Sequence, residues 1–123
     1  FSPNGQLLAS GYDDGTINLW KRKTARIDCS SNLHKASVRV VTFSPNGQFL
    51  ASGDSQGNIK LWDVQTLEFI KKLDSAHTLS VNTIAFSPDG SVIASGGDDG
   101  FLKLWSVKTG VNLFTSFEEK EAI

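Results

Sequence analysis

A five-residue motif returns along this chain at an almost constant interval, and no other feature restricts the fold as strongly. Phe-Ser-Pro-Asn-Gly occupies residues 1–5 and 43–47, and Phe-Ser-Pro-Asp-Gly occupies residues 86–90. Trp20, Trp62 and Trp105 each follow the phenylalanine of their motif by 19 residues. A repeat of 42 to 43 residues is typical of proteins built from stacked supersecondary units, and this length suits a four-stranded propeller blade.

Short apolar segments between turn signals predict strands rather than helices in every repeat. The second repeat has four such segments, at 38–43, 48–52, 58–62 and 68–73, and the third has four, at 81–86, 91–95, 101–105 and 111–116. The first has three, at 6–10, 16–20 and 25–30. Short turns such as Asp13-Asp14-Gly15 join them, so the strands are antiparallel. We therefore predict an all-β fold of antiparallel four-stranded blades, arranged as a partial, open propeller ring.

The repeats resemble those of the WD-repeat β-propeller family. The shared pattern is a His, then a Trp about 28 residues later, with a Ser-Gly and an Asp-Gly turn between them. His34 precedes Trp62, and His77 precedes Trp105, by 28 residues. The resemblance implies a fragment of under three blades: a partial repeat at 1–33 with the second to fourth strands, full repeats at 34–76 and 77–117, and the start of a next blade or a tail at 118–123. We expect a piece of a larger protein, with ring closure by copies of the chain as the alternative.

The resemblance also implies a structural hydrogen-bond network in each blade, formed by a His, a strand Ser, a turn Asp and the strand Trp. The third repeat offers His77, Ser95, Asp99 and Trp105, and the second offers His34, Ser52, Gln56 and Trp62. The first offers Ser10, Asp14 and Trp20, with its His expected upstream of Phe1. Because a neutral amide is a weaker hydrogen-bond acceptor than a carboxylate, we expect Gln56 to make the second network weaker than the third. The alternative is that the nearby Asp54 serves in this network.

The residue types of the third network also match a hydrolase triad. A nucleophilic Ser needs an exposed hydroxyl and an oxyanion hole, whereas Ser95 lies inside a predicted strand. A related set of residues also recurs in the second repeat, and a catalytic site is not normally copied in each repeat. We therefore expect no enzymatic activity. His34 and His77 have no further His or Cys at metal-ligand spacing, so we expect no metal site and no cofactor.

Charge and cysteine content bear on partners and on the cellular compartment. The formal net charge is −1, and the basic residues at 21–26 and 71–72 are not interleaved with aromatic residues, so we do not expect nucleic acid as a partner. No apolar run approaches the ~20 residues of a membrane helix, and we expect no membrane association. The single cysteine, Cys29, is typical of a reducing compartment, so we expect the cytoplasm, or else the nucleus.

We predict from these features a protein–protein interaction scaffold that binds other proteins or peptides. The resemblance implies binding at the rim where the loops before each first strand meet the turns between second and third strands. The matching residues are Asp13, Ser37, Arg39, Ser55, Ser80, Asn82 and Asp98, together with Tyr12, which replaces the Asp or Gly of the matching turns. The alternative is a sensor or regulatory propeller of a larger multidomain signalling protein whose catalytic module lies outside this sequence. A third reading is a structural self-assembling unit.

Overall fold

The chain folds into three antiparallel sheets, one for each repeat. The computed structural model describes residues 1–32, 34–74 and 76–116; the predicted tail at 118–123 lies outside them. Blade 1 contains β1 (Leu7–Gly11), β2 (Ile17–Lys21) and β3 (Arg26–Ser31). Blade 2 contains β4 (Val38–Phe43), β5 (Phe49–Asp54), β6 (Ile59–Asp63) and β7 (Phe69–Leu73). Blade 3 contains β8 (Val81–Phe86), β9 (Val92–Gly97), β10 (Leu102–Ser106) and β11 (Asn112–Thr115).

Strands that follow one another in sequence are neighbours in each sheet, in the orders β1-β2-β3, β4-β5-β6-β7 and β8-β9-β10-β11. Every pairing is antiparallel. This confirms the prediction of all-β propeller blades in an open arrangement. The predicted strands agree with the observed ones to within one or two residues. The part of the chain that the structure describes has no helix able to span a membrane.

The repeated Ser-Pro-Asn-Gly motif forms the turn between the first and second strands of a blade. In blade 2 the Ser44 hydroxyl donates to Asn46 Oδ1 (2.7 Å) and accepts from the Phe49 amide (3.0 Å). Gly47 has a φ of +74°, in the left-handed region that glycine adopts without strain. The same hydrogen bonds recur in the turns of blades 1 and 3. Each motif therefore encodes one tight turn, which fixes the register of the strands on either side.

The hydrophobic core lies between the blades, because neighbouring residues of one strand point to opposite faces. Leu50 and Ala51 are both fully buried, yet Leu50 packs against blade 1 and Ala51 packs against blade 3. The core at junction 1–2 contains Ile17, Leu19, Val38, Leu50, Trp62, Val64 and Leu67. The core at junction 2–3 contains Ala51, Ile59, Leu61, Leu73, Ala76, Val81, Ile84, Ile93 and Trp105. Blade 2 is thus stabilised by apolar burial on both of its faces.

A glycine near the end of the second strand allows neighbouring blades to approach closely. A Cβ at Gly53 would lie 2.7 Å from Val81 Cγ1 of blade 3, which is closer than real side chains approach. Gly11 stands in the same position against Val38 of blade 2. The Ser-Gly pairs at the ends of β1 and β5 therefore have two roles. The serine enters the polar network described below, and the glycine makes room for the next blade.

Candidate functional site: the buried networks and the rim they support

The network of blade 3 joins the four residues that the resemblance implied for it. His77 Nδ1 lies 2.9 and 3.0 Å from the two carboxylate oxygens of Asp99, and His77 Nε2 lies 2.9 Å from Ser95 Oγ. Trp105 Nε1 donates to the same Ser95 Oγ at 3.0 Å. Because a serine has a single hydrogen to donate, Ser95 accepts from Trp105 and donates to His77 Nε2. A neutral His77 with its proton on Nδ1 then donates to Asp99.

Burial sets the protonation state of this network. Burial lowers the pKa of His77 below its usual value, although the neighbouring Asp99 acts in the opposite direction. Burial alone would raise the pKa of Asp99, but hydrogen bonds from His77 and from the Phe101 and Thr78 amides outweigh it, so the pKa is lowered. The hydrogen-bond geometry and the lowered pKa values of both residues indicate that a neutral His77 imidazole donates to a charged Asp99 carboxylate.

Blade 2 forms the same network with a carboxylate from a different position. His34 Nδ1 lies 2.8 Å from Asp54 Oδ2 and His34 Nε2 lies 2.5 Å from Ser52 Oγ. Trp62 Nε1 donates to Ser52 Oγ at 2.8 Å. The other oxygen of Asp54 accepts from the amides of Gln56 (2.9 Å) and Asn58 (3.0 Å). Burial lowers the pKa of His34, as it does that of His77.

The expectation that Gln56 serves as the His34 partner was therefore wrong, and so was its consequence of a weaker network without a charged acceptor. Asp54 ends β5 and pairs with Val38, as Gly97 ends β9 and pairs with Val81. A Cβ at Gly97 would lie 2.8 Å from His77 Nδ1 and 3.0 Å from Asp99 Oδ1. A carboxylate can thus reach the His either from this strand end or from the turn two residues later. Gln56 is exposed.

Blade 1 contains only part of such a network among its described residues. Trp20 Nε1 donates to Ser10 Oγ at 2.8 Å, and Ser10 Oγ donates to the Tyr12 hydroxyl at 3.0 Å. In blade 1 the network serine is thus hydrogen-bonded to the Tyr12 hydroxyl, whereas in blades 2 and 3 it is hydrogen-bonded to a histidine. Asp14 is exposed and accepts from the Thr16 amide at 2.9 Å. The hydrogen bonds from Thr16 lower the pKa of Asp14.

The networks of blades 2 and 3 are closed to solvent. Ser52 and Ser95 have no exposed surface, and His34 and His77 are 1% and 6% exposed. Each serine hydroxyl is already engaged by a Trp and a His, so neither is presented to a substrate as a nucleophile. The two histidines lie in separate blades, and no group of three metal-ligating side chains occurs among the residues that the structure describes.

The rim residues lie at one end of the blades, directly above these networks. Tyr12, Asp13, Arg39, Asn82 and Asp98 are exposed, and Ser37, Ser55 and Ser80 are half-buried. Arg39 and Asn82 each occupy an irregularity in strand register, between Val38 and Val40 and between Val81 and Thr83. An extra residue in a strand turns a side chain away from the sheet. The irregularities therefore present Arg39 and Asn82 at the same place in two successive blades.

Hydrogen bonds fix the rim both within and between blades. Ser37 Oγ of blade 2 donates to Asp13 Oδ1 of blade 1 at 2.8 Å, and Asn82 Nδ2 donates to Asp98 Oδ1 at 2.6 Å within blade 3. The Val38 amide donates to the Tyr12 carbonyl at 3.0 Å, and the His77 amide donates to the Gly57 carbonyl at 3.0 Å. The rim loops are thus held by the same histidine-containing segments that form the buried networks.

One residue of this site, Leu79, was missed by the sequence reasoning, and Asp54 was only its alternative to Gln56. Gln56 was preferred because the turns were aligned on their final glycine, which places the expected carboxylate at position 56. The signal was present, since Asp54 stands where blade 3 has Gly97 and coincides with the loss of the turn Asp. Leu79 is 52% exposed on the rim. It stands where the second repeat has Ala36, and a leucine beside polar loop residues was a signal of an exposed apolar contact point.

Comparison with known proteins agrees with this architecture. The family described as "WD domain, G-beta repeat" matches residues 1–21, 28–63 and 67–106, which is most of the chain. A curated relative, "Ribosome biogenesis protein BOP1" from Mus musculus, is 54% identical over 37 residues. That match covers 30% of this chain and 5% of the mouse protein, so it extends over less than one repeat. On the family match across all three repeats, the chain belongs to the WD-repeat family.

Proposed function

We propose that this protein is an interaction scaffold without chemistry of its own, which binds partner proteins or peptides at the rim. WD repeats generally serve as protein-interaction scaffolds, and the rim geometry supports that role here. The observation that carries the proposal is a set of exposed side chains of mixed character beside the buried networks, with Arg39 at the start of β4 and Leu79 and Asp98 on loops. Recognition residues commonly stand on loops that a rigid framework positions.

Apolar and charged side chains are exposed together on this rim, as they are in surfaces that bind other proteins. Leu79 is 52% exposed and Tyr12 is 39% exposed, while Arg39 and Asp98 supply charges of opposite sign. Interfaces combine aromatic and aliphatic anchors with arginine and a polar surround. A nucleic-acid partner would be better served by a cluster of cations. We therefore propose proteins or peptides as the partner class.

Comparison of matched variants tests this assignment. In the full-length protein, Arg39→Glu and Leu79→Ser should reduce the set of proteins retained from cell extract, as measured by quantitative mass spectrometry. Lys23→Glu and Ile27→Ser also reverse a charge and remove an apolar side chain, but at the opposite end of blade 1, where Ile27 is 49% exposed. They should leave the retained set unchanged. Equal losses in both pairs, or no loss in the rim pair, would contradict binding at the rim.

A further inference from the structure

A groove separates blades 2 and 3 at the end of the strands opposite to the rim. Its volume is about 670 Å³, and its principal lining residues are Phe49, Leu61, Ile70, Lys71, Val107 and Lys108. Leu61 belongs to the core at junction 2–3, and Val107 packs against that core. Ile70 of β7 is 40% exposed at the groove. An apolar floor with an exposed isoleucine at its edge can receive an apolar side chain.

Two cations stand at one wall of this groove. The side chain of Lys71 crosses from blade 2 to blade 3, where a Cβ on Gly110 would lie 3.2 Å from Lys71 Cδ. Lys71 Nζ donates to the main-chain oxygen of Lys108 at 2.7 Å, and both lysines line the groove. Within the described ranges, neither lysine forms an ion pair with a carboxylate. Their positive charges are therefore available to an acidic ligand.

One acidic residue, Asp89, also lines this groove, and it accepts hydrogen bonds from its own turn. Asp89 Oδ1 accepts from Ser87 Oγ (2.7 Å), from the Ser91 amide (3.0 Å) and from Ser91 Oγ (2.8 Å). Hydrogen bonds from Ser91 and then Ser87 lower the pKa of Asp89 to about 2. Asp89 is therefore ionised, with three donors of its own turn on one carboxylate oxygen, and the groove has two lysines against this one carboxylate.

The corresponding place at junction 1–2 has a different chemistry, although the fold is the same. From the strand pairing, Asp28 stands where blade 2 has Ile70, and Cys29 stands where it has Lys71. Gln65 stands where blade 3 has Lys108. Asp28 also pairs with Lys21 at 3.4 Å. The apolar edge and the two lysines therefore distinguish junction 2–3 from junction 1–2.

We propose that the groove at junction 2–3 binds a short segment of a partner protein in which an apolar residue is followed by an acidic residue. The apolar side chain lies on Phe49, Ile70 and Val107, and the carboxylate meets Lys108 and Lys71. The proposal rests on the proposed scaffold function only in that the ligand is a protein segment. The groove is a second site at the opposite end of the strands from the rim, so either site can fail without the other.

Defined peptides test the groove directly. The probes are two fluorescent hexapeptides, Gly-Ser-Leu-Asp-Asp-Ser and its charge-reversed counterpart Gly-Ser-Leu-Lys-Lys-Ser, titrated with the full-length protein by fluorescence anisotropy. We expect the acidic peptide to bind about tenfold more tightly than the basic one, since charge complementarity decides between ligands of equal apolar content. Hydrogen exchange should then slow in the segments around Ile70 and Val107.

Variants that copy junction 1–2 sharpen the test. Ile70→Asp should weaken binding of the acidic peptide about tenfold, through lost apolar contact and added repulsion. Lys108→Gln should weaken it about threefold, because an exposed charge pair contributes modestly. Lys72→Gln is the control, since Lys72 is exposed on the same strand but does not line the groove. Arg39→Ala, on the rim, should leave peptide affinity unchanged. Circular dichroism melting curves verify that each variant is folded.

Several outcomes would overturn the proposal. Equal affinity for the two peptides, no binding of either, or protection from exchange confined to the rim would each do so. Preferential binding of a single-stranded oligonucleotide that Lys108→Gln abolishes would assign the groove to phosphate instead. Concentration-dependent protection without peptide would assign it to a second copy of the chain. Faster exchange at Ile70 after Glu118→Gln and Glu119→Gln would assign it to the chain's own acidic end.

Discussion

Blades 2 and 3 make the same hydrogen bonds from different sequence positions. In both blades a Trp donates to a Ser, the Ser contacts His Nε2, and a carboxylate contacts His Nδ1. The carboxylate comes from the strand end in blade 2, at Asp54, and from the turn in blade 3, at Asp99. The fold therefore requires a carboxylate at one point in space, next to the His, and two sequence positions can deliver it.

The two solutions exclude one another through a single glycine. A side chain at position 97 would approach His77 and Asp99 too closely, so blade 3 needs Gly97 as long as Asp99 holds the His. In blade 2 Asp54 accepts the hydrogen bond from His34. The residue at position 56 therefore needs no carboxylate, and an exposed glutamine stands there. Blades 2 and 3 thus show two alternative combinations of the strand-end and turn positions.

The largest expected effect comes from placing both carboxylates in one blade. Gly97→Asp alone should lower the free energy of unfolding by about 3 kcal/mol, because a second charge is buried beside Asp99 without a partner. Gly97→Asp combined with Asp99→Gln reproduces the blade 2 arrangement and should recover most of that loss. Urea unfolding of the full-length protein measures both variants and gives their coupling energy.

If the changes in unfolding free energy from Gly97→Asp and Asp99→Gln simply add in the double variant, positions 97 and 99 do not substitute for one another. Asp99→Gln alone is the matched single variant, and it should be destabilising because His77 loses its charged acceptor. If the double variant is less stable than either single variant, the two positions do not deliver a carboxylate to the same place. The control is Asp98→Gln, an exposed neighbour in the same turn, which we expect to be near neutral.

Loss of the network serine should have the next largest effect, and it should be similar in both blades. Ser52→Ala leaves the Trp62 indole N–H and His34 Nε2 without their partner, and Ser95→Ala does the same to Trp105 and His77. Each should cost about 1–3 kcal/mol, the usual penalty for an unsatisfied buried polar group. Urea unfolding of the two variants gives the comparison. A loss in only one blade would show that the networks are not equivalent.

Acid should destabilise both blades through their histidines. Burial lowers the pKa of His34 and His77 below the ordinary 6.5, so the unfolded chain binds more protons as pH falls through 6.5. Stability is therefore complete above 6.5 and declines below it, by up to about 1.4 kcal/mol per pH unit for each His. The lowered pKa values of Asp54 and Asp99 add a further loss as pH falls below 3.8.

Urea unfolding between pH 7.5 and 5.5 measures this slope, and His77→Gln should roughly halve it because one titrating group is removed. If the unfolding free energy instead rises as pH falls through this range, the histidines are charged partners of their aspartates. The neutral-imidazole description of both networks would then be wrong.

The smallest expected effect is at Gln56. Since Asp54 already holds His34, Gln56→Asp should change the unfolding free energy by less than about 0.5 kcal/mol, as is usual for exposed substitutions. Any change should be destabilising, through repulsion between the two carboxylates. Gln56→Ala is the control for loss of the amide. Stabilisation of blade 2 by Gln56→Asp, seen as slower hydrogen exchange at Ser52 and Trp62, would contradict the assignment of Asp54.

The fold could be predicted almost completely from the sequence, and the candidate site only in part. Strand positions followed from short apolar runs, because alternate residues must face the two neighbouring blades. The turns followed from Ser-Pro-Asn-Gly, where the serine and asparagine side chains hydrogen-bond within the motif. The His, Ser and Trp of the networks repeat at fixed spacing. Asp54 does not repeat, so it was only an alternative to Gln56, and Leu79 does not repeat either, so repetition could not reveal it.

By itself, the sequence determined the local structure and the blade as the repeating unit, because both depend on interactions between residues close in sequence and on an alternating apolar pattern. Only the tertiary structure decided which carboxylate serves each histidine, which side chains stand together on the rim, and how Ile70, Lys71 and Lys108 meet at junction 2–3. These features join residues of different strands or blades, and side-chain reach across a few ångströms decides them. An alignment of the repeats shows which residues occupy equivalent sequence positions. The histidine, however, bonds to whichever carboxylate lies within hydrogen-bonding distance, whatever its position in the repeat.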